Sequence, residues 1–469
     1  MSFKNAALSM PVETVTANGM KAYDDTTNHN TTFFFQVGAS RGKNVSALFE
    51  LAYLEDRNLA LRIMQWARDI RGGAGERGLF RQMLLFLEQN YTHELLKTSI
   101  LGNIAEIGRW DDLLIFKTEA VKYRAYSIIR TALESGDSLC AKWMPRKGDI
   151  AVELRNFLGY TPKRYRKTLV SLTEVVETKM CANEWSEINF SHVPSVAMSR
   201  YMKAFNKRAP TEFTAYKEAL TAGDPTAKVN AAAVYPYDVT KMLHFGDNNI
   251  VADKMWESLP NYIGDASILP LVDVSGSMDV PAGGNKTVTC MDVAISLGLY
   301  CSDKNTGPFK DLFLTFTNDS KFVSLKGSLS AKYRTMKTST WGYSTNLQSA
   351  FNAILEVAVN NSLPQEDMPE TLLIMSDMNF DKATRGDYSA IELARVSYEA
   401  AGYKVPNIVF WNLNSQDHVP VKFDEIGTAL VSGFSPAILK AVLACDYDNM
   451  MPISIVKEAV MIDRYNFER

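Results

Sequence analysis

Asp273, Ser275 and Ser277 sit two residues apart in Asp273-Val274-Ser275-Gly276-Ser277-Met278, directly after a short apolar run at 268–272. At that spacing a curled loop can aim one carboxylate and two hydroxyls at a single point, and Gly276 permits the curl. An oxygen-only site with so little negative charge suits Mg²⁺, or another divalent cation such as Mn²⁺, better than zinc. It also leaves positions for water and an outside ligand. Two later segments can complete it: residues 342–346 offer Thr345, and Asp377, after the apolar run 371–375, offers a second carboxylate. The competing reading is a loop that only tucks its hydroxyls onto backbone. A cation held by few carboxylates stays electrophilic and seeks an acidic ligand, and it could also activate water. Binding is the expectation, and the chain is not expected to be an enzyme. His29, His93, His192, His244 and His418 are scattered away from the motif, and the nearby Ser and Thr offer no base of tunable pKa.

A second chemistry lies in the first half of the chain. Between Lys142 and Lys167 there are eight basic residues against Asp149 and Glu153. Lys142, Arg146, Lys147, Arg155, Lys163, Arg164, Arg166 and Lys167 can neutralise phosphates, while Tyr160 and Tyr165 can stack on unpaired bases. The alternative is a solvated helix start with both tyrosines packed inward. Arg68, Arg71, Arg77 and Arg81 surround the glycine-rich Gly72-Gly73-Ala74-Gly75, whose amides could hold a phosphate. An inter-helix turn with Asp69 and Glu76 paired to nearby arginines is the favoured reading there. Lys203, Lys207 and Arg208 read as a solvated face. In Trp110-Asp111-Asp112 adjacent residues of a helix point about 100° apart, which argues against a shared catalytic role. They read as acids at a helix start, with Trp110 in the core.

Elements of two kinds must carry these groups. The chain has 469 residues, 46% hydrophobic and 22% charged, enough for two or three domains with their own cores. Residues 1–44 read as an irregular segment, in which Thr31-Thr32-Phe33-Phe34-Phe35 forms a short strand or an anchor. Residues 45–262 show apolar positions at three- and four-residue spacing and no convincing strand, as in an array of helical hairpins without a fixed repeat period. Residues 263–448 alternate short apolar runs with amphipathic helices, which predicts a doubly wound α/β sheet covered on both faces. Residues 449–469 form a tail that could fold back to lock the two ends together. Residues 1–250 carry 32 Lys and Arg against 27 Asp and Glu, and the remainder 18 against 26, so the halves differ in sign. Five dispersed cysteines argue against a disulfide framework or a zinc site. The odd, scattered set of cysteines points to a reducing compartment. No apolar run nears the ~20 residues of a membrane span and no secretory pattern occurs, so a cytoplasmic chain with no membrane partner is expected; a monomer is expected as well.

The D-x-S-x-S pattern with Thr345 and Asp377 resembles the metal-ion-dependent adhesion site of von Willebrand factor A domains. Asp273, Ser275, Ser277, Thr345 and Asp377 match its five positions. The family's usual T-D-G reads Ser376-Asp377-Met378 here. A helical array followed by such a domain resembles the TROVE family, typified by the Ro autoantigen, and more closely its microbial and phage relatives. The stretches carrying that likeness are Trp66-Ala67-Arg68-Asp69-Ile70-Arg71-Gly72-Gly73-Ala74-Gly75-Glu76-Arg77, Ile107-Gly108-Arg109-Trp110-Asp111-Asp112-Leu113 and Val193-Pro194-Ser195. The resemblance implies HEAT-like helical repeats curled into a closed ring, with small structured RNAs bound outside and single-stranded ends of misfolded RNAs in the hole. It thus implies RNA as partner, in RNA quality control or as a scaffold. The competing expectation is an adaptor whose cation grips an acidic residue of another protein.

Overall fold

The computed structural model describes residues 12–173, 175–231, 234–243, 249–282, 288–339, 344–382, 389–416, 418–445 and 450–468. Gly342, Tyr343 and His244 lie outside these residues.

The described residues begin with an antiparallel hairpin, β1 (Glu13–Val15) and β2 (Lys21–Tyr23). Next, residues 31–35 are helical, within His29–Val37, where the sequence suggested a strand or anchor. Asn28 sets the start by accepting from the Thr31 amide, which satisfies one of the free donors of the first turn. Tertiary packing then overrides the strand preference of the aromatic run. Phe33 meets Phe49 with ring centroids 5.6 Å apart, and Phe34 lies 4.3 Å from Trp66. Phe35 joins the core on the other side of the α/β sheet. The segment is therefore an anchor built as a helix.

Between residues 46 and 257, every regular element among the described residues is an α-helix or 3₁₀ turn. Helix Arg57–Arg68 shows why. Asp56 caps it by accepting from the Leu59 amide, and Leu59, Ile63, Trp66 and Ala67 face inward at helical spacing. Burying each large apolar side chain of that stripe contributes about 1.5–3 kcal/mol.

The second half is an α/β unit around a six-stranded sheet. Its strands are β3 (Ile268–Val272), β4 (Leu312–Thr315), β5 (Phe322–Ser324), β6 (Thr371–Ser376), β7 (Asn407–Asn412) and β8 (Thr428–Ser432). They lie in the order β5-β4-β3-β6-β7-β8, with every pairing parallel except β4–β5. Within the buried strands, alternate residues serve two cores. Val272, Met375, Trp411 and Val431 belong to the core shared with the helical half. Leu271, Ile374, Phe410 and Leu430 belong to the one under helices Leu347–Asn361 and Ala390–Ala400. This period of two inside nearly uninterrupted apolar runs is what burial on both faces demands.

Both ends of the helical half rest on this unit. Helix His29–Val37 packs on β8, where the Ser432 hydroxyl donates to the Phe34 carbonyl at 2.8 Å and accepts from the Gly38 amide at 3.0 Å. A Cβ on Gly38 would come within 2.6 Å of that hydroxyl, so the contact needs glycine. At the other end, helix Pro236–Leu243 packs on helix Cys290–Lys304. The C-terminal segment folds back: helix Pro452–Val460 packs on β8 and on helix Arg57–Arg68. Beyond it, Tyr465 and Phe467 are fully buried. The Phe467 carbonyl accepts from the Ser99 amide, the Tyr465 carbonyl from Gln65 and the Asn466 carbonyl from Asn103, each at 2.9 Å.

Candidate metal centre and cationic surfaces

In an open α/β sheet, ligands bind beyond the carboxyl ends of the strands where the strand order reverses. Here that point lies between β3 and β6. Val272 pairs with Met375, so Asp273, the first residue past β3, lies beside Ser376, the last of β6, with Asp377 one residue further on. Asp273 is fully buried; one oxygen accepts from the Ser376 hydroxyl at 2.5 Å and the other from the Ser275 amide at 2.9 Å. Burial and the nearby charge of Asp377 push its carboxyl up to about 6. The Ser275 and Ser277 hydroxyls lie 3.0 Å apart, on a 3₁₀ turn pinned by the buried Met278. Asp377 is 1% exposed and accepts from the Asn379 amide at 3.2 Å. Among the described residues, neither Asp273 nor Asp377 has an ion pair, and no cluster of three or more His, Cys, Asp or Glu occurs. Two buried carboxylates with hydroxyls beside them fit a hard divalent cation.

Thr345 is joined to the same rim through the loop after Asp377. Its hydroxyl donates to the Asn379 carbonyl at 2.5 Å, lies 3.2 Å from an Asp381 oxygen, and accepts from the Asn18 amide at 3.1 Å. Asn18 belongs to the turn between β1 and β2, so the N-terminal hairpin reaches onto this rim. Met378 has φ +68°, a left-handed conformation that costs a side-chain-bearing residue about 1–2 kcal/mol. Glycine would adopt it freely, which is the physical content of the departure from T-D-G. His418, which the sequence leaves far from the motif, donates from Nε2 to the Met378 carbonyl at 3.1 Å. The histidines are therefore not all remote from this loop, a correction that sequence distance could not supply.

The glycine-rich turn is not a phosphate cradle, because the amides of Gly73, Ala74 and Gly75 already donate to the carbonyls of Asp69 and Trp66. It is the inter-helix turn expected, but its acids find other partners. Asp69 takes Arg464 and the Tyr465 hydroxyl from the C-terminal segment, and Glu76 takes Arg41. The turn's own arginines reach the second motif. Arg68 donates to Asp112 at 2.9 Å, Arg77 to Asp111 at 2.6 Å, and Arg81 to Asp112 at 2.6 Å. Arg109 grips Asp111 with two hydrogen bonds of 2.7 and 2.8 Å. Asp111 and Asp112 do open a short 3₁₀ helix, Trp110–Leu114, with Trp110 buried, as expected.

On helix Pro162–Leu172, Lys163, Arg164, Arg166 and Lys167 are exposed. Arg164 lies over the half-buried Tyr160 ring, 4.1 Å from its centroid. Lys163, Arg166, Lys167 and the exposed Lys147 carry no ion pair among the described residues. Tyr165 is different: it is buried, with its hydroxyl donating to the Pro145 carbonyl at 3.0 Å, so its ring is core. Arg146 donates to Thr173, Arg155 is half-buried, and Lys142 stands 3.8 Å from Glu177. Lys207 and Arg208 are exposed near the end of helix Ser195–Arg208.

Residues 267–460 match a family model described as a domain of unknown function (DUF7788), and residues 146–261 match another described as a domain of unknown function (DUF2828). The first match spans the sheet and its candidate rim; the second includes helix Pro162–Leu172. The chain is also 28% identical, over 498 aligned residues, to the uncharacterized protein L728 of Acanthamoeba polyphaga mimivirus, covering 93% of this chain and 85% of that one. No helix among the described residues is long and apolar enough to cross a membrane.

Proposed function

We propose that this protein binds RNA through its helical half, as a TROVE-like protein acting in RNA quality control or as a scaffold for a structured RNA. The carrying observation is the run of exposed cations on helix Pro162–Leu172, without ion pairs among the described residues and with Arg164 stacked on Tyr160. Cations that no carboxylate neutralises are free to displace counterions from phosphates, and a ring beside them offers a face to an unpaired base. In this reading the helices form a HEAT-like repeat array closed into a ring by the α/β unit. The anchoring of both ends of the array on that unit supports the closure. The strand order, with an acid-and-hydroxyl loop after β3, supports a von Willebrand factor A domain. The test is reversal of Lys163, Arg164, Arg166 and Lys167 to glutamate, read by fluorescence anisotropy of a labelled single-stranded RNA across a salt series. Affinity should fall at least about tenfold, and the salt slope should drop by about 0.7 for each phosphate that is no longer neutralised. Unchanged affinity and slope would remove this surface from the reading.

A second reading rests on Asp273 and Asp377, buried without a cationic partner among the described residues. Asp273, Ser275, Ser277 and Asp377 would hold Mg²⁺ or Mn²⁺, with Thr345 beside them. When bound, the ion would supply an electrophilic position for an acidic residue of a partner protein, making the chain a metal-dependent adaptor. In differential scanning fluorimetry, Mg²⁺ should raise the melting temperature of the wild type and leave Asp273→Asn unmoved. Equal responses in the two proteins would rule out this rim.

A further inference from the structure

The arginine cluster of the helical half holds more positive charge than its acids can neutralise. Four guanidiniums, of Arg68, Arg77, Arg81 and Arg109, converge on two carboxylates, those of Asp111 and Asp112. The next acid along, Glu76, is taken by Arg41 through three hydrogen bonds. Arg68 is nearly enclosed, with its side chain 5% exposed, and serves to hold Asp112. The other three reach the surface, with side chains 36%, 27% and 29% exposed for Arg77, Arg81 and Arg109. Arg77 is held below the usual arginine range by burial, and Arg81 and Arg109 lower it further, even though it bonds two carboxylates. Removing one guanidinium from such a group relieves repulsion, whereas adding an anion completes the neutralisation.

The cluster also has a direction. Arg109 lies over the Trp143 ring, 3.7 Å from its centroid. Trp143 ends helix Ser138–Trp143, which packs both on the 3₁₀ turn carrying Asp111 and Asp112 and on helix Pro162–Leu172. Lys142 adds a second cation at Trp143, 5.5 Å from its ring centroid. We infer that Arg77, Arg81 and Arg109 form a phosphate site, which takes a backbone phosphate of the RNA whose neighbouring nucleotides lie on helix Pro162–Leu172. This rests on the RNA reading proposed above. All three guanidiniums bond the acid turn through Nε and Nη2. It is therefore their Nη1 ends, which make no hydrogen bond among the described residues, that would donate to phosphate oxygens, with Trp143 stacked against the Arg109 plane.

The experiment compares wild type, Arg77→Gln, Arg81→Gln and Arg71→Gln with the 163–167 reversal. Each is read by anisotropy of a labelled single-stranded RNA and by urea unfolding. Arg71 is the charge-matched control, exposed on the same turn but lining a crevice against Tyr262 and Ser435. Arg77→Gln and Arg81→Gln should each lose about five- to tenfold in affinity, with a salt slope lower by about 0.7. The urea midpoint of Arg77→Gln should be unchanged or raised, and Arg71→Gln should bind as wild type does. Wild-type affinity in Arg77→Gln, with loss in the 163–167 reversal, would overturn this site and leave the RNA reading standing. A lowered midpoint for Arg77→Gln would assign the cluster to structure alone. An inorganic phosphate effect on the wild-type midpoint, absent from Arg77→Gln while both bind RNA equally, would assign it to a free anion. Wild type that binds no RNA at low salt would overturn both.

Discussion

Asp112 shows how a residue read as a simple helix-start acid can organise a region. It is fully buried and takes hydrogen bonds from Arg68, Arg77, Arg81 and the Arg109 amide. Asp112→Ala would strand the enclosed Arg68 guanidinium, and breaking a buried pair from one side typically costs about 3–5 kcal/mol. Asp111 is more open, its side chain 21% exposed, so Asp111→Ala should cost less than half as much; urea midpoints of the two variants compare them directly. The sequence displayed the types of all these residues but not their pairing. Glu76 pairs across 35 residues and Asp69 across 395, and no local pattern encodes such partners. The candidate cation rim was more legible, because Asp273, Ser275 and Ser277 occupy one loop and the apolar runs before Asp273 and Asp377 place both at strand ends. What spacing could not show was Asn18 on Thr345, or His418 beneath Met378.

At the scale of elements, period and burial explain both the successes and the misses. The change from helical spacing to short apolar runs near residue 265 corresponds to the change from helices to sheet, because each strand must bury both its faces. Residues 31–35 misled since a run of two threonines and three phenylalanines favours a strand in isolation, while its neighbours bury it on every side as a helix. The edge strand β5 went unseen at three residues, too short for any period to register. The C-terminal segment does bind the start of the helical array, through the carbonyls of Tyr465, Asn466 and Phe467. Ending the chain after Met461 would expose the sites of Tyr465 and Phe467, worth about 1.5–3 kcal/mol each, and would leave the buried Asp69 without Arg464. We expect that truncation to lower stability in urea by at least about 4 kcal/mol, several times the effect of the single change Glu468→Ala at the exposed end.

Taken whole, the molecule carries its candidate cation rim and its cationic helix face on one continuous core. The apolar cluster that begins at Phe33 runs through the helical array, crosses one face of the sheet and ends at Phe467. Scanning calorimetry should therefore show one unfolding transition, with the calorimetric and van't Hoff enthalpies agreeing. Two resolved peaks would mean that the helical and α/β halves are stable independently, and that the shared core contributes little between them.

The buried C-terminal residues also set an order of events during synthesis. Tyr465 and Phe467 complete a site whose other wall, around Gln65 and Asp69, leaves the ribosome some four hundred residues earlier. At about 5–20 residues per second, that wall waits roughly 20–80 s for its covering. The first helices emerge with apolar surface that only residues some four hundred positions later can cover, so the packing around Gln65 and Asp69 cannot be completed before Tyr465 and Phe467 are made.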